Sequence, residues 1–97
     1  GNNNMKMGKT DYILNEGNEN ILIEVQRQQD VTREEVITLF RNYRKELGMT
    51  QSQLGQKAGV TQPNITRFES GNYNPSLEFM VRIAVAMGKK VKVVLED

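Results

Sequence analysis

The sequence predicts a mainly α-helical fold: a bundle of about four helices that is followed by a short C-terminal β-strand. Two observations indicate the helices. Apolar residues recur at intervals of three and four, and capping residues precede these runs while glycines follow them. A third observation, the alternation of apolar with charged residues in KKVKVVLED, indicates the strand. Helical domains of roughly sixty residues are small, but they fold alone.

Four segments are predicted along the chain. Residues 1–10 are expected to be a disordered polar tail, with Gly1 typical of a cloning remnant. Residues 11–30 form an extension, residues 31–88 the helical domain, and residues 89–97 the C-terminal strand.

The first helix of the domain is expected to begin at Thr32 and to end at Gly48. Thr32 and Glu35 have the spacing of a capping box, which marks a helix N-terminus. An apolar stripe then follows at helical intervals and is expected to face the core. It comprises Val36, Leu39, Phe40, Tyr43 and Leu47.

The second helix is bounded by signals at both ends. Thr50 can cap it, and Gln53 lies three residues on, where its side chain completes a capping box. Leu54 and Ala58 are four residues apart, so they share one face and are expected to pack inward. Gly59 is suited to the left-handed conformation that ends a helix.

The third helix follows after a short turn. Thr61 is its expected N-cap, and Pro63 occupies the first turn, where the missing N–H costs nothing. Ile65 and Phe68 are expected to bury the inner face, and Gly71 to end the helix. The polar residues Gln62, Asn64 and Arg67 then lie off that face, and they are side-chain types that hydrogen-bond base edges in the DNA major groove.

A fourth helix is predicted after the loop NYNP, since a residue before proline is pushed away from helical geometry. Ser76 is its expected cap and Gly88 its end. The buried stripe is expected to comprise Leu77, Met80, Ile83, Ala84 and Met87.

The phrases MTQSQLGQKAGV and TQPNITRFESG resemble the helix-turn-helix of the lambda-repressor-like family, also called the Cro or XRE family. The resemblance runs from about Glu34 to Met87. It implies a lambda-repressor-like bundle and a sequence-specific DNA-binding regulator. Short proteins of this kind mostly repress by occupying a promoter, and the expected form is a homodimer on a palindromic operator in double-stranded DNA.

The resemblance also implies residue roles. Base contacts are expected from Gln62, Pro63, Asn64 and Arg67, with Pro63 offering only apolar contact, for example to a thymine methyl. DNA-backbone contacts are expected from Gln51, Thr61, Asn72, Tyr73 and Lys57. Gln51 is also expected to brace the third helix. Arg44 and Glu69 are expected to form a partly buried ion pair between the first and third helices.

Composition excludes several other classes. The chain has no cysteine and no histidine, so disulfides, most nucleophilic triads and zinc sites are ruled out. We therefore expect no enzyme activity, no metal and no cofactor. No apolar run reaches the ~20 residues that a membrane span needs, and a reducing cytoplasm suits the composition. Residues 1–30 carry net charge −2 and residues 31–97 carry +3, which favours DNA binding by the second part.

The two ends of the chain leave alternatives open. The N-terminal extension fits a strand or hairpin, or a short helix. The C-terminal strand needs a partner, which the N-terminal segment, a second subunit or another protein could provide. The ending GKKVKVVL resembles antitoxins that bind a RelE-type toxin and repress their own operon. That alternative makes a toxin the partner; a protein-interaction adaptor is a lesser one. Expected partner-binding residues are Tyr12, Leu14, Ile21, Leu22, Val25, Val91, Val93 and Leu95.

Overall fold

A computed structural model describes residues 16–97 of the chain, and the side chains from residue 19 onward. Within that range the chain forms four α-helices and no β-strand, so the prediction of a mainly α-helical fold is confirmed. The helices are α1 (Glu16–Glu46), α2 (Gln51–Ala58), α3 (Gln62–Glu69) and α4 (Leu77–Ala86). The chain divides into two units, Gly1–Thr32 and Arg33–Asp97.

The start of α1 corrects the sequence analysis. Thr32 lies inside the helix rather than at its N-terminus, because a Thr-x-x-Glu spacing is equally compatible with a helix interior. Residues 16–30 are helical, so a hairpin that uses residues 21–25 is wrong and the helical alternative is right for that stretch. Tyr12 and Leu14 lie outside the described residues.

The predicted C-terminal strand is also wrong. Residues 89–97 follow α4 without regular secondary structure. Alternating side chains favour an extended backbone, but a strand also needs a neighbour for its N–H and C=O groups. The part of the chain that the structure describes offers no such neighbour.

The core of the second unit is built around aromatic and branched side chains from all four helices. Phe68 packs edge-on against Phe40 and Phe79, with ring centroids 6.1 and 5.3 Å apart. Edge-to-face packing of this kind adds to the free energy gained from burial. The fully buried large side chains are Phe68, Ile37, Leu54, Ile65 and Ile83.

Most members of the stripes predicted for α1 and α4 face the core, including the buried Ile83, Ala84 and Met87, but each stripe also has an exposed member. Leu39 and Leu77 are 66% and 64% exposed, whereas Ile37 and Phe79 are buried. A run of apolar residues at helical intervals fits more than one face when its flanks are apolar too, and packing then decides between them. The inward faces predicted for α2 and α3 are confirmed, since their four apolar residues are all buried.

The predicted caps of α2 and α3 are confirmed. The Thr50 hydroxyl accepts a hydrogen bond from the Gln53 backbone N–H, and the Gln53 side chain accepts one from the Thr50 backbone N–H. Gly59 has a φ of 73°, the left-handed conformation that ends α2. The Thr61 side chain caps α3, with Pro63 in its first turn.

Candidate nucleic-acid interface

A short turn between α2 and α3 fixes the angle between the two helices. The Val60 backbone N–H donates to the Gly55 carbonyl at 2.9 Å, so the turn folds back onto α2. Gly55 is buried there, and a Cβ at this position would lie 2.8 Å from the Val60 carbonyl oxygen. The role of Gly55 was not predictable from the sequence, because a glycine inside a helical pattern gives no signal of what approaches it.

Helix α3 has a buried face and an exposed face. Ile65, Phe68 and Glu69 are buried. Gln62, Pro63, Thr66 and Arg67 are exposed, and Asn64 is half-buried. The Arg67 guanidinium donates to the Asn64 side-chain oxygen, so these two side chains meet on the outer surface. The helix therefore presents a contiguous polar surface made of groups that hydrogen-bond base edges.

A buried ion pair connects the C-terminal end of α3 to α1. The Arg44 guanidinium donates to both carboxylate oxygens of Glu69, at 2.7 and 2.9 Å, and also to the Met49 carbonyl at 2.7 Å. The Arg44 and Glu69 side chains are 8% and 6% exposed. These are the two residues that the sequence analysis paired, and the bidentate geometry fixes the position of α3 relative to α1.

Burial by itself would raise the pKa of the Glu69 carboxyl. Hydrogen bonds from Arg44 and Gln51, together with the positive charges of Arg44 and Arg41, outweigh the burial, so this pKa lies below its usual value. Glu69 is therefore an ionised carboxylate at neutral pH, and it acts as a hydrogen-bond acceptor only.

A hydrogen-bond network links the ion pair to the outer surface of α3. The Gln51 side-chain N–H donates to Glu69 at 3.0 Å, and its carbonyl oxygen accepts from Thr66 at 2.7 Å and from Gln62 at 3.3 Å. Gln62 also donates to the Thr66 hydroxyl at 2.7 Å. Thr66 was not among the predicted site residues, although its position four residues after Gln62 places the two on one face.

The remaining expected DNA-backbone residues lie in different surroundings. Thr61 is occupied as the α3 cap. Asn72 is exposed after α3 and its backbone N–H donates to the Arg67 carbonyl at 3.0 Å, whereas the Tyr73 ring packs on Phe79 at 5.1 Å. Lys57 lines a shallow depression beside α4 and takes no part in the network described above.

Two further arginines, Arg41 and Arg82, contact helix ends. Arg41 donates to the Glu69 carbonyl at 3.4 Å, in the last turn of α3. Arg82 donates to the Ala58 carbonyl at 3.3 Å, in the last turn of α2. A cation near these carbonyls is favourable because the C-terminal end of a helix carries partial negative charge.

The expected partner-binding residues occupy two separate places. In the first unit Ile21, Leu22 and Val25 are exposed on a helical segment. In the second unit Val91 lines a groove of about 580 Å³ that also involves apolar residues of α1 and α4, and the groove contains Lys89, Lys90 and Lys92. Val93 and Leu95 are exposed beyond it.

The described residues contain neither a metal-ligating cluster nor a membrane-spanning helix. No group of three or more His, Cys, Asp or Glu side chains there could hold a metal ion. None of the helices in the same range is both long and apolar enough to cross a membrane.

The fold and the polar outer face of α3 define a class, the helix-turn-helix proteins. A family model described as helix-turn-helix matches residues 40–94, which is more than half of the chain. The chain therefore belongs to the helix-turn-helix family of the Cro/XRE type.

Named relatives are similar over much of their length. An HTH-type transcriptional regulator of Methanothermobacter thermautotrophicus is 49% identical over 53 residues, which are 55% of this chain and 77% of that protein. Another from Haemophilus influenzae is 34% identical over 80 residues, 82% of each chain. Among solved structures, a chain of a toxin–antitoxin module from Streptococcus pneumoniae is 26% identical with a TM-score of 0.58, covering 98% of this chain and all of that one.

Proposed function

We propose that this protein is a sequence-specific DNA-binding transcriptional regulator that represses by occupying a palindromic operator as a homodimer. The observation that carries the proposal is the polar outer face of α3, which the buried Arg44–Glu69 pair holds in place from behind. Membership of the helix-turn-helix family and the names of the relatives support a regulator.

In this proposal α3 enters the major groove. Gln62, Asn64 and Arg67 read base edges, and Pro63 makes apolar contact. In the free protein the Arg67 guanidinium and the Asn64 amide oxygen bind each other. When the protein binds DNA, each of these two side chains must therefore give up this contact to hydrogen-bond a base. Both remain on the outer surface of α3.

Contacts to the DNA backbone are proposed on either side of these base-contacting residues. Gln51, Thr61, Asn72, Tyr73 and Lys57 are the residues we assign to this role. They contribute to affinity for any duplex and to its salt dependence, because each phosphate contact releases counterions from the DNA.

The proposal is tested by selecting bound duplexes from a random DNA library. The wild type should enrich a palindrome with half-sites about one helical turn apart. The double variant Gln62→Ala/Arg67→Ala should lose the enrichment yet unfold at the wild-type urea concentration, since both side chains are exposed. Val85→Ala, an exposed change on α4, is the matched control and should select the wild-type motif. A motif that survives in the double variant would show that α3 is not the reading helix.

A second candidate function is that of an antitoxin that binds a RelE-type toxin and represses its own operon. It is favoured by the likeness to a chain of the pneumococcal toxin–antitoxin module and by the exposed Ile21, Leu22 and Val25. The protein would then be a DNA-binding regulator that also binds a toxin, and the toxin would contact those apolar residues.

Co-expression with any small basic protein encoded beside this gene tests the antitoxin function. The wild type should copurify with that protein and relieve the growth arrest it causes. Ile21→Asp/Val25→Asp should lose both effects while keeping the selected DNA motif, because the substitutions lie outside the second unit. The absence of any such neighbour, or unchanged copurification of the variant, would argue for a stand-alone regulator.

A further inference from the structure

The buried ion pair determines which way the Gln51 amide must point. The Glu69 carboxylate accepts from Arg44 and from the Gln51 side-chain nitrogen, at 3.0 Å for the latter. An ionised carboxylate has no hydrogen to donate, so only the amide N–H₂ of Gln51 can face it. The carbonyl oxygen of Gln51 must therefore face α3.

The orientation of the Gln51 amide determines, through the Thr66 hydroxyl, how the Gln62 amide is oriented. The Thr66 hydroxyl has one hydrogen, and the Gln51 carbonyl oxygen at 2.7 Å is a closer acceptor than the Gln62 backbone carbonyl at 3.1 Å. With its hydrogen given to Gln51, the Thr66 oxygen accepts from the Gln62 side-chain nitrogen at 2.7 Å. The second hydrogen of that nitrogen faces the Gln51 oxygen at 3.3 Å.

Gln62 is left with one free hydrogen-bonding atom. Both hydrogens of its amide nitrogen have acceptors, and in the described part of the chain its side-chain oxygen accepts no hydrogen bond. A glutamine with a free amide reads adenine through two bonds, donating to N7 and accepting from the N6 amino group. In its present orientation Gln62 can form only the second bond, in which its side-chain oxygen accepts from the N6 amino group of adenine.

We propose that Thr66 is a specificity-determining residue: by holding the Gln62 amide nitrogen, it makes Gln62 read DNA through its carbonyl oxygen alone. The inference rests on the proposed function and deepens it. An acceptor in the major groove pairs with the exocyclic amino groups of adenine and cytosine. It opposes the O6 of guanine and the O4 of thymine, which are themselves acceptors. Gln62 therefore selects adenine or cytosine over guanine or thymine.

Two matched substitutions separate the hydroxyl from the rest of the side chain. Thr66→Val keeps the shape and a methyl group but removes the hydroxyl, which frees the Gln62 amide to turn. Thr66→Ser keeps the hydroxyl and removes the methyl group. Thr66 is exposed, so both variants should unfold at the wild-type urea concentration.

The experiment compares base preferences selected by the wild type, Gln62→Ala, Thr66→Val and Thr66→Ser. Gln62→Ala identifies the base pair that Gln62 reads, as the position whose preference it abolishes. There the wild type and Thr66→Ser should prefer adenine or cytosine by roughly fivefold or more, the lower end of discrimination by a base contact. Thr66→Val should admit guanine and thymine to within about twofold, because the N–H that Thr66 held can then donate to them.

Three results would overturn the inference. The wild type would select guanine or thymine at the Gln62 position, or Thr66→Val would keep the wild-type preference there, or Thr66→Ser would lose it. A wild type that enriches no motif at all would overturn the proposed function and this inference together. A clear wild-type motif that does not respond to Thr66→Val would leave the regulator standing and remove only the role of Thr66.

Discussion

At the residue scale, the Arg44–Glu69 pair holds α3 in position against α1. Taking two charges out of water costs several kcal/mol each, and the bidentate bonds offset that cost only while both partners are present. The Arg44 head also donates to the Met49 carbonyl, so it reaches the segment between α1 and α2 as well. One side chain thus connects α1, α3 and the start of the helix-turn-helix.

Removing either partner of this pair should be costly. Arg44→Ala or Glu69→Ala strands the other charge and should lower the free energy of unfolding by about 3–5 kcal/mol. The double variant should lose clearly less than both single losses combined. Urea denaturation of the four proteins measures the coupling.

The exposed pair Arg82–Glu78 is the matched control. Its side chains are 48% and 73% exposed, so its coupling should be at most about 1 kcal/mol. Additive losses at Arg44 and Glu69 would contradict a structural role for the buried pair.

Glu69 also makes a defined contribution to acid sensitivity. Its pKa is lower in the folded chain than in the unfolded chain, so the unfolded state binds the proton first as the pH falls. The stabilisation is complete above the ordinary glutamate pKa of about 4.3 and is lost as the pH falls through the lower folded value. Between about pH 7 and about pH 3, the difference in unfolding free energy between the wild type and Glu69→Gln should therefore shrink. A pH-independent difference would contradict the lowered pKa.

At the element scale, the helix-turn-helix depends on close backbone approach at Gly55. Alanine there would gain about 1 kcal/mol of helix propensity. Its Cβ would meet the Val60 carbonyl at 2.8 Å, and relieving such a contact costs about 1–3 kcal/mol. Because the contact is with backbone, we expect the clash to win, so Gly55→Ala should lower the free energy of unfolding.

Urea denaturation checks the Gly55 prediction, with Gln56→Ala as the control. Gln56 is the exposed neighbour of Gly55 in α2, and its substitution should stay within about 0.5 kcal/mol of the wild type. A Gly55→Ala protein that is more stable than the wild type would show that the turn can move away from α2 at little cost.

Elements with local end signals were predictable from the sequence. The caps of α2 and α3 consist of side chains that bond the backbone within three residues, so their pattern is visible in the chain. The start of α1 was not predictable, because Thr32 and Glu35 can occupy a helix interior as readily as a helix N-terminus. The strand over residues 89–97 failed for a different reason. Strand formation depends on a neighbour, which alternation in one segment does not reveal.

The candidate site was also predictable only in part, because some of its contacts depend on how the helices pack. Residues on the outer face of α3 follow from helical spacing, and Arg44 and Glu69 follow from the family resemblance. The network through Thr66 depends on how α2 and α3 pack, with atoms of residues 51 and 66 brought to 2.7 Å. No spacing rule within one helix encodes such a distance.

At the scale of the whole molecule, the modest charge of the second unit argues for action in pairs. Residues 31–97 carry only +3, so one copy attracts DNA weakly, whereas the proposed dimer would double the charge over two copies of α3. We expect two chains per palindromic duplex. The slope of log affinity against log salt should be about twice that for a duplex with one half-site, because twice as many phosphates are contacted.

Sedimentation of the protein with each duplex gives the stoichiometry, and titrations at several salt concentrations give the slope. A duplex of equal length with a scrambled sequence is the control. One chain per palindrome, with the same slope for whole and half sites, would contradict the homodimer.

Above all, we claim that the outer face of α3 reads DNA sequence. The decisive measurement is the ratio of affinities for the selected duplex and its scrambled counterpart, at one salt concentration. The wild type should show a large ratio, and Gln62→Ala/Arg67→Ala should bring it close to one while affinity for the scrambled duplex falls much less. A ratio unchanged by this double substitution would contradict the claim.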